Sequence, residues 1–326
     1  MTPDFTFNPA VPTPPRRKRS IRRTTTHDSN RPQGLDGPVA HVATGRELVT
    51  DSAGQTHVTD AARITAEVDY NRVMILSIAC DPPEPAMSGL IGKGAYSGFR
   101  KTVEAMLPGE FSSHRLRGQL LDDLPPAVMG NGRALRAEGM RIGVSRPKTL
   151  PVGICAGWAD GGTLVSGYSE LGPPLLIGPA ASSLEDADDT LAWHEFGPLA
   201  PHGTRRARRL DIWEEDGEGW LDCFFRDSHL DRSGMESVVH EWHLRAQFDI
   251  GERRFLTACA VPGPLPYPEC PASGASADRL AGMPLDGLRK AVRQDFVGTS
   301  TCTHLNDSFR ALEDAGYLLD CLVGSA

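Results

Sequence analysis

The sequence predicts an α+β fold built by internal duplication, each copy a run of antiparallel strands followed by helices. The first observation behind this is a constant offset. A shift of about 180 residues brings Asp36-Gly37 onto Asp216-Gly217, Arg46 onto Arg226, Asp51 onto Asp231 and Gly54 onto Gly234. The same shift brings Ala66 onto Ala246, Asp69 onto Asp249, Leu76 onto Leu256 and Pro82 onto Pro262. After an insertion in the second copy, Gly98-Phe99-Arg100-Lys101 meets Gly287-Leu288-Arg289-Lys290, Gly109 meets Gly298 and Leu116 meets Leu305. A repeat of this length is a duplicated domain rather than a solenoid unit. The second observation is alternation: residues 63–79 alternate around a turn at 69–71, and residues 238–260 do so around 249–252, the pattern of antiparallel hairpins. Trp220 and Phe224-Phe225 add an earlier strand. The third is a change of period. Leu285, Leu288, Val292 and Phe296 share one helical face between Pro284 and Gly298, and a shorter helix is expected over 272–281, between Pro271 and Gly282. Strands in a run and then helices in a run place helices on one face of a sheet.

The chain divides accordingly. Residues 1–20 are Pro-rich and then basic, ending in Arg16-Arg17-Lys18-Arg19, and read as a disordered arm. Residues 21–124 form the first copy, 125–204 a Gly/Pro-rich connector, and 205–326 the second copy. A second basic cluster, Arg205-Arg206-Ala207-Arg208-Arg209, makes both clusters parts of the repeat rather than nucleic-acid arms. A connector this long without periodicity is disordered or functional, and Trp158 and Trp193 predict that it packs across both copies. Gly161-Gly162 has no lysine at the spacing of a phosphate loop.

Composition narrows the function class. A formal net charge of −8 argues against general nucleic-acid binding. No apolar run reaches membrane-spanning length and the N-terminus has no apolar leader core. Seven cysteines, an odd number in no tight framework, predict a cytoplasmic chain whose reduced thiols are free for metal or catalysis. The expected partner is a small molecule or a protein, with neither a membrane nor a specific nucleic acid.

The densest chemistry lies at residues 298–312, GTSTCTHLNDSFRAL, a loop opening into a helix with Leu305, Phe309 and Leu312 on its apolar face. Cys302 falls in the first turn, where free N–H groups and the macrodipole favour a thiolate, with His304, Asn306 and Asp307 just beyond. Cys270, before Pro271, stands at another expected helix start. The two copies differ in these residues: His240 faces Asp60 in the alignment, Cys302 faces Ser113, His304 faces Arg115, and Cys270 lies in the insertion.

The motifs FFRDSH (224–229), VVHEW (238–242), PECPASGASADRLAG (268–282) and GTSTCTHLND (298–307) resemble a bacterial family known only as a domain of unknown function. The second copy is also similar to iron–sulfur cluster scaffold proteins of the NifU/IscU type. The shared order is a hairpin, a Cys before a small-residue helix, a Gly turn, a helix, and a Cys opening the last helix. That resemblance implies a scaffold-like fold with Cys270 and Cys302 as ligands, and Val238 and His240 where the scaffolds carry their third Cys and their Asp.

Two readings follow. In one, Cys270 and Cys302 with His240 and His304 bind zinc, iron or an iron–sulfur species, an S/N donor set suited to those metals. In the other, Cys302 is a nucleophile for acyl transfer or for thioester or lactone hydrolysis, with His304 or His240 as base and Asp307 or Glu269 as orienter. Cys302 and His304, two apart on a helix, point about 200° apart, so that base has to come from elsewhere.

Overall fold

A sheet with one face covered by helices needs alternating inward and outward residues, and this chain supplies them twice. The computed structural model describes residues 13–140 and 150–324. Four strands come first: β1 (Ser20–Asn30), β2 (Val39–Thr50), β3 (Thr56–Asp69) and β4 (Met74–Asp81). Helices α1 (Phe99–Met106), α2 (Leu116–Gly130) and α3 (Gly132–Ala137) follow, and the short α4 (Thr163–Ser166) lies beyond them. The second half repeats the order: β5 (Thr204–Glu215), β6 (Glu218–Leu230), β7 (Glu236–Asp249), β8 (Arg254–Pro262), then α5 (Leu288–Asp295), α6 (Thr303–Ala311) and α7 (Ala315–Val323). The fold is therefore mixed α+β, as its patterning predicts.

The eight strands form one antiparallel sheet in the order β4-β3-β2-β1-β5-β6-β7-β8. β1 and β5 join the halves edge to edge, from Ser20 opposite Trp213 to Ser29 opposite Thr204. Thr26 pairs with Ala207 and His27 with Arg206. The 180-residue shift exchanges these two rungs, so the register at the seam is self-complementary.

Matching turns have matching chemistry. Asp51 accepts from the Gln55 amide at 2.8 Å and Asp231 from the Met235 amide at 3.0 Å, each within a strand-to-strand turn. Val73 and Arg253 both adopt positive φ, 51° and 47°, at the ends of the outer hairpins. Gly98 (φ 75°) and Gly287 (φ 77°) precede α1 and α5 in a left-handed conformation that suits glycine. The segment expected as a helix at 272–281 is a 3-10 helix over Cys270–Leu280. The connector boundary at 125 falls inside α2, which runs through Pro125-Pro126 to Gly130. Burial of Leu120, Leu124 and Val128 against the sheet holds the helix across prolines that would otherwise end it.

The arm and connector are built into this frame. Residues 13–19 of the arm are anchored, because Arg16 finds Asp189 at 2.7 and 2.8 Å and Thr13 donates to the Leu184 carbonyl at 2.7 Å. Residues 1–12 of the arm and 141–149 of the connector lie outside the described residues. Trp158 packs on the core of the second half. Trp193 is buried over the other face of the central strands, beside Phe224, and Arg46 of β2 donates to its carbonyl at 2.8 Å. Among the described residues no helix is long and apolar enough to cross a membrane.

Two histidines buried at the seam set an acid limit. His194 lies between Thr24 and Thr26, 2.9 Å from each hydroxyl. His27 lies 3.2 Å from His41. Burial, then a nearby arginine, pulls His27 and His194 each down to about 3. The unfolded chain takes up these protons near the usual value of about 6.5, so their effect is absent at neutral pH and destabilises the fold progressively from about pH 6.5 towards 3. Between pH 7 and pH 5 each should remove about 2 kcal/mol of unfolding free energy. Urea titrations of wild type and His194→Gln at the two pH values check this: the variant should lose about 2 kcal/mol less, and equal losses would contradict it.

Candidate functional site

Asp227 on β6 and His240 on β7 face each other as a paired rung. An irregularity between Asp227 and Ser228 leaves Val239 without a partner and shifts the register by one, turning His240 to the helix-covered face. His304 reaches the same point from the first turn of α6, whose N-cap residue is Cys302. The His240 and His304 rings stack with centroids 3.5 Å apart and planes 20° apart. Asp227 Oδ2 lies 3.5 Å from His240 Nδ1 and 3.9 Å from His304 Nε2. The ligand atoms of these three residues all fall within 4.8 Å of one another.

Charge around the triad is organised by Arg206. Its Nε and Nη2 donate to the two oxygens of Asp227 at 2.9 and 3.0 Å, and its Nη1 donates to Asp307 at 2.7 Å. Arg310 links Asp307, at 2.8 Å, to Asp122, at 3.1 Å. Burial pushes the Asp227 carboxyl up, but Arg206, and then His240, outweigh it and hold the group ionised. Burial followed by the neighbouring His240 pulls His304 down to about 3, and burial outweighs Asp227 in lowering His240. Two neutral imidazoles beside a carboxylate are the protonation states that a metal ion requires of these ligands.

The triad opens onto a cavity of about 1190 Å³. All three parts of the chain wall it: Tyr70 and Arg133 from the first half, Trp158 and Leu176 from the connector, and α5 and α6 from the second half. Such a volume, with a few convergent polar groups, suits a small-molecule ligand.

The sequence-predicted residues separate into two groups. His240 and His304 meet, joined by Asp227. Cys270 and Cys302 do not enter that group; both are buried in the second half's core. They lie near each other and near Cys155 of the connector, which adds to the upward push on both thiols. The Cβ position of Gly157 is 3.2 Å from Cys270 Sγ, so the connector closes directly over that thiol. The expected thiolates are not favoured here. Burial pushes Cys302 up to about 12, although the amides of Leu305 and His304 pull the other way, and burial followed by Cys302 pushes Cys270 well above the usual thiol range. Desolvation outweighs the helix start. Glu269 accepts from the Thr163 amide and hydroxyl at 2.7 and 2.9 Å and so caps α4 rather than orienting a base.

Sequence reasoning missed Asp227 and Cys155. Counting outward from the turn at Gly234 places Val239, not His240, opposite Asp227, and only the bulge corrects the register. Cys155 sits in a stretch with no period to place it.

The corresponding place in the first half is differently filled. Glu47 pairs with Asp60 across β2 and β3, again beside a register irregularity. Arg115 Nε donates to Asp60 at 3.3 Å and Arg23 Nη2 to Glu47 at 2.6 Å. Two carboxylates and two guanidinium groups stand where the second half has one carboxylate, two imidazoles and the Arg206 guanidinium.

The thiols offer a direct check on Cys302. Native protein treated with iodoacetamide at pH 7 should be alkylated first at the exposed Cys259, while Cys270 and Cys302 react only on unfolding in urea. Rapid native alkylation of Cys302, read by peptide mass spectrometry, would contradict its buried, protonated state.

Residues 204–317 match a family described as a protein of unknown function, DUF2889. The match covers the strands of the second half and most of its helices, including Asp227, His240 and His304, and carries no activity with it. No curated protein and no solved structure matches the chain.

Proposed function

We propose that the chain is an internally duplicated protein whose second half binds a single divalent metal ion through His240, His304 and Asp227, at the wall of a cleft that admits a small molecule. The observation that carries this is the convergence of two neutral imidazoles and an ionised carboxylate within 4.8 Å. Two histidines and a carboxylate suit zinc or iron(II), and three protein ligands leave positions open to a ligand from the cleft. Because Arg206 engages both Asp227 oxygens, the imidazoles are the principal ligands and Asp227 the third.

The duplication is supported by the self-complementary seam, the matched turns and the paired left-handed glycines. On this reading the first half is the degenerate copy: Arg115 carries permanent positive charge into the place where the second half has the His304 imidazole. Ligation by Cys270 and Cys302, and with it an iron–sulfur scaffold role, has less support, because among the described residues no trio of thiols brings its sulfurs within metal-sharing reach. The nucleophile alternative is also weaker, since no hydrogen bond joins Cys302 to an imidazole and burial keeps its thiol protonated.

Metal analysis tests the proposal. Protein stripped by chelation and reloaded with zinc or cobalt(II) should retain a single equivalent and gain thermal stability. His240→Ala and His304→Ala should each weaken metal affinity by more than about tenfold, whereas Cys270→Ser should leave metal content unchanged. Stripped wild type that takes up no metal, or histidine variants that retain all of it, would overturn the assignment.

A further inference from the structure

Ten arginines are buried among the described residues, and eight of them face carboxylates. The exceptions are Arg31 and Arg133, each 7% exposed. They are neighbours in the fold, because Arg31 Nη2 donates to the carbonyl of Asn131, two residues before Arg133. A buried guanidinium without an anion is costly to keep, so two exceptions in one place call for a reason.

Arg133, on α3, spends one nitrogen on the Leu176 carbonyl at 2.6 Å and leaves Nε unpartnered. Arg136, one helical turn on, donates Nη1 to the Pro173 carbonyl at 2.9 Å and likewise leaves Nε unpartnered. Both line the cavity. Arg31 stands behind them with its guanidinium over the Tyr70 ring at 5.3 Å, and Tyr70 is part of the cavity wall. Among the described residues none of the three has a carboxylate within salt-bridge reach, and Asp36 acts on Arg31 only from farther off.

We infer that Arg133 and Arg136, backed by Arg31, are the anion-binding wall of this cleft, and that its ligand carries a carboxylate or phosphate group which completes their hydrogen bonding. Charge-assisted bonds from guanidinium groups to either anion are the strong ones in a desolvated site. That the other end of such a ligand faces Asp227, His240 and His304 rests on the metal reading above; the arginine wall does not.

The test uses protein stripped of metal by chelation and dialysed, so that the two ideas fail separately. Calorimetric titration with inorganic phosphate and with succinate should give saturable binding of at least one, the preferred anion telling phosphate from carboxylate. Arg133→Met and Arg136→Met should each weaken that binding by about tenfold or more. Relief of an unpaired buried charge should leave the melting temperature of Arg133→Met unchanged or raised, whereas a residue that only clamps the Leu176 carbonyl would lose stability and no affinity. If Arg133→Met does not fold, Arg136→Met decides. Wild type that binds neither anion, variants that bind as tightly as wild type, or binding that appears only with metal restored would overturn the inference.

Discussion

The antiparallel pairing of β1 with β5 is the contact on which everything else hangs, because it turns two four-stranded units into one sheet and brings their inner ends together. That seam is unusually polar for the middle of a sheet. On the helix side Arg23 meets Glu47 and Asp314, while Arg208 meets Asp123. On the other side Arg22 meets Asp211 at 2.6 Å. Each pair crosses between elements that an apolar contact would join with less angular definition. Removing one partner of such a buried pair costs more than the pair contributes, since a bare charge is left behind. The seam is therefore specific in register as well as held by backbone hydrogen bonds.

Where the halves meet, each leaves space that its own core does not fill. The connector occupies it on both faces of the sheet, with Trp158 and Leu164 against the second core and Trp193 over the central strands. Its carbonyls at Pro173 and Leu176 take one nitrogen from each of Arg136 and Arg133 and so help hold α3 at the cleft mouth. The cleft thus belongs to neither half alone. Imidazoles, carboxylates and guanidinium groups all line this cavity of about 1190 Å³.

Comparison of the halves shows how one geometry supports two chemistries. The same rung of the same hairpin, beside the same irregularity, holds Glu47 and Asp60 in one half and Asp227 and His240 in the other. Arg115 pairs with Asp60 from the helix side, where His304 approaches Asp227 in the second half. A guanidinium supplies its charge permanently, and neutral imidazoles supply lone pairs instead. The proposed metal site rests on this contrast.

Much of this was legible in the sequence for a local reason. Alternation at 63–79 and 238–260, the asparagine and aspartate turns, and the Gly-Phe-Arg-Lys and Gly-Leu-Arg-Lys helix starts act over a few residues, and the same signals stand in both halves. His240 and His304 were readable as residues that the first half replaces. What only the tertiary structure decided depends on long-range placement. A one-residue bulge puts His240 rather than Val239 beside Asp227, which no pattern of apolar residues encodes. The helix start at Cys302 favours a thiolate locally, yet burial under the connector reverses that preference because desolvation depends on everything packed around the sulfur. Arg133 looks like any surface arginine in its sequence; its isolation from carboxylates exists only once the connector and both halves enclose it.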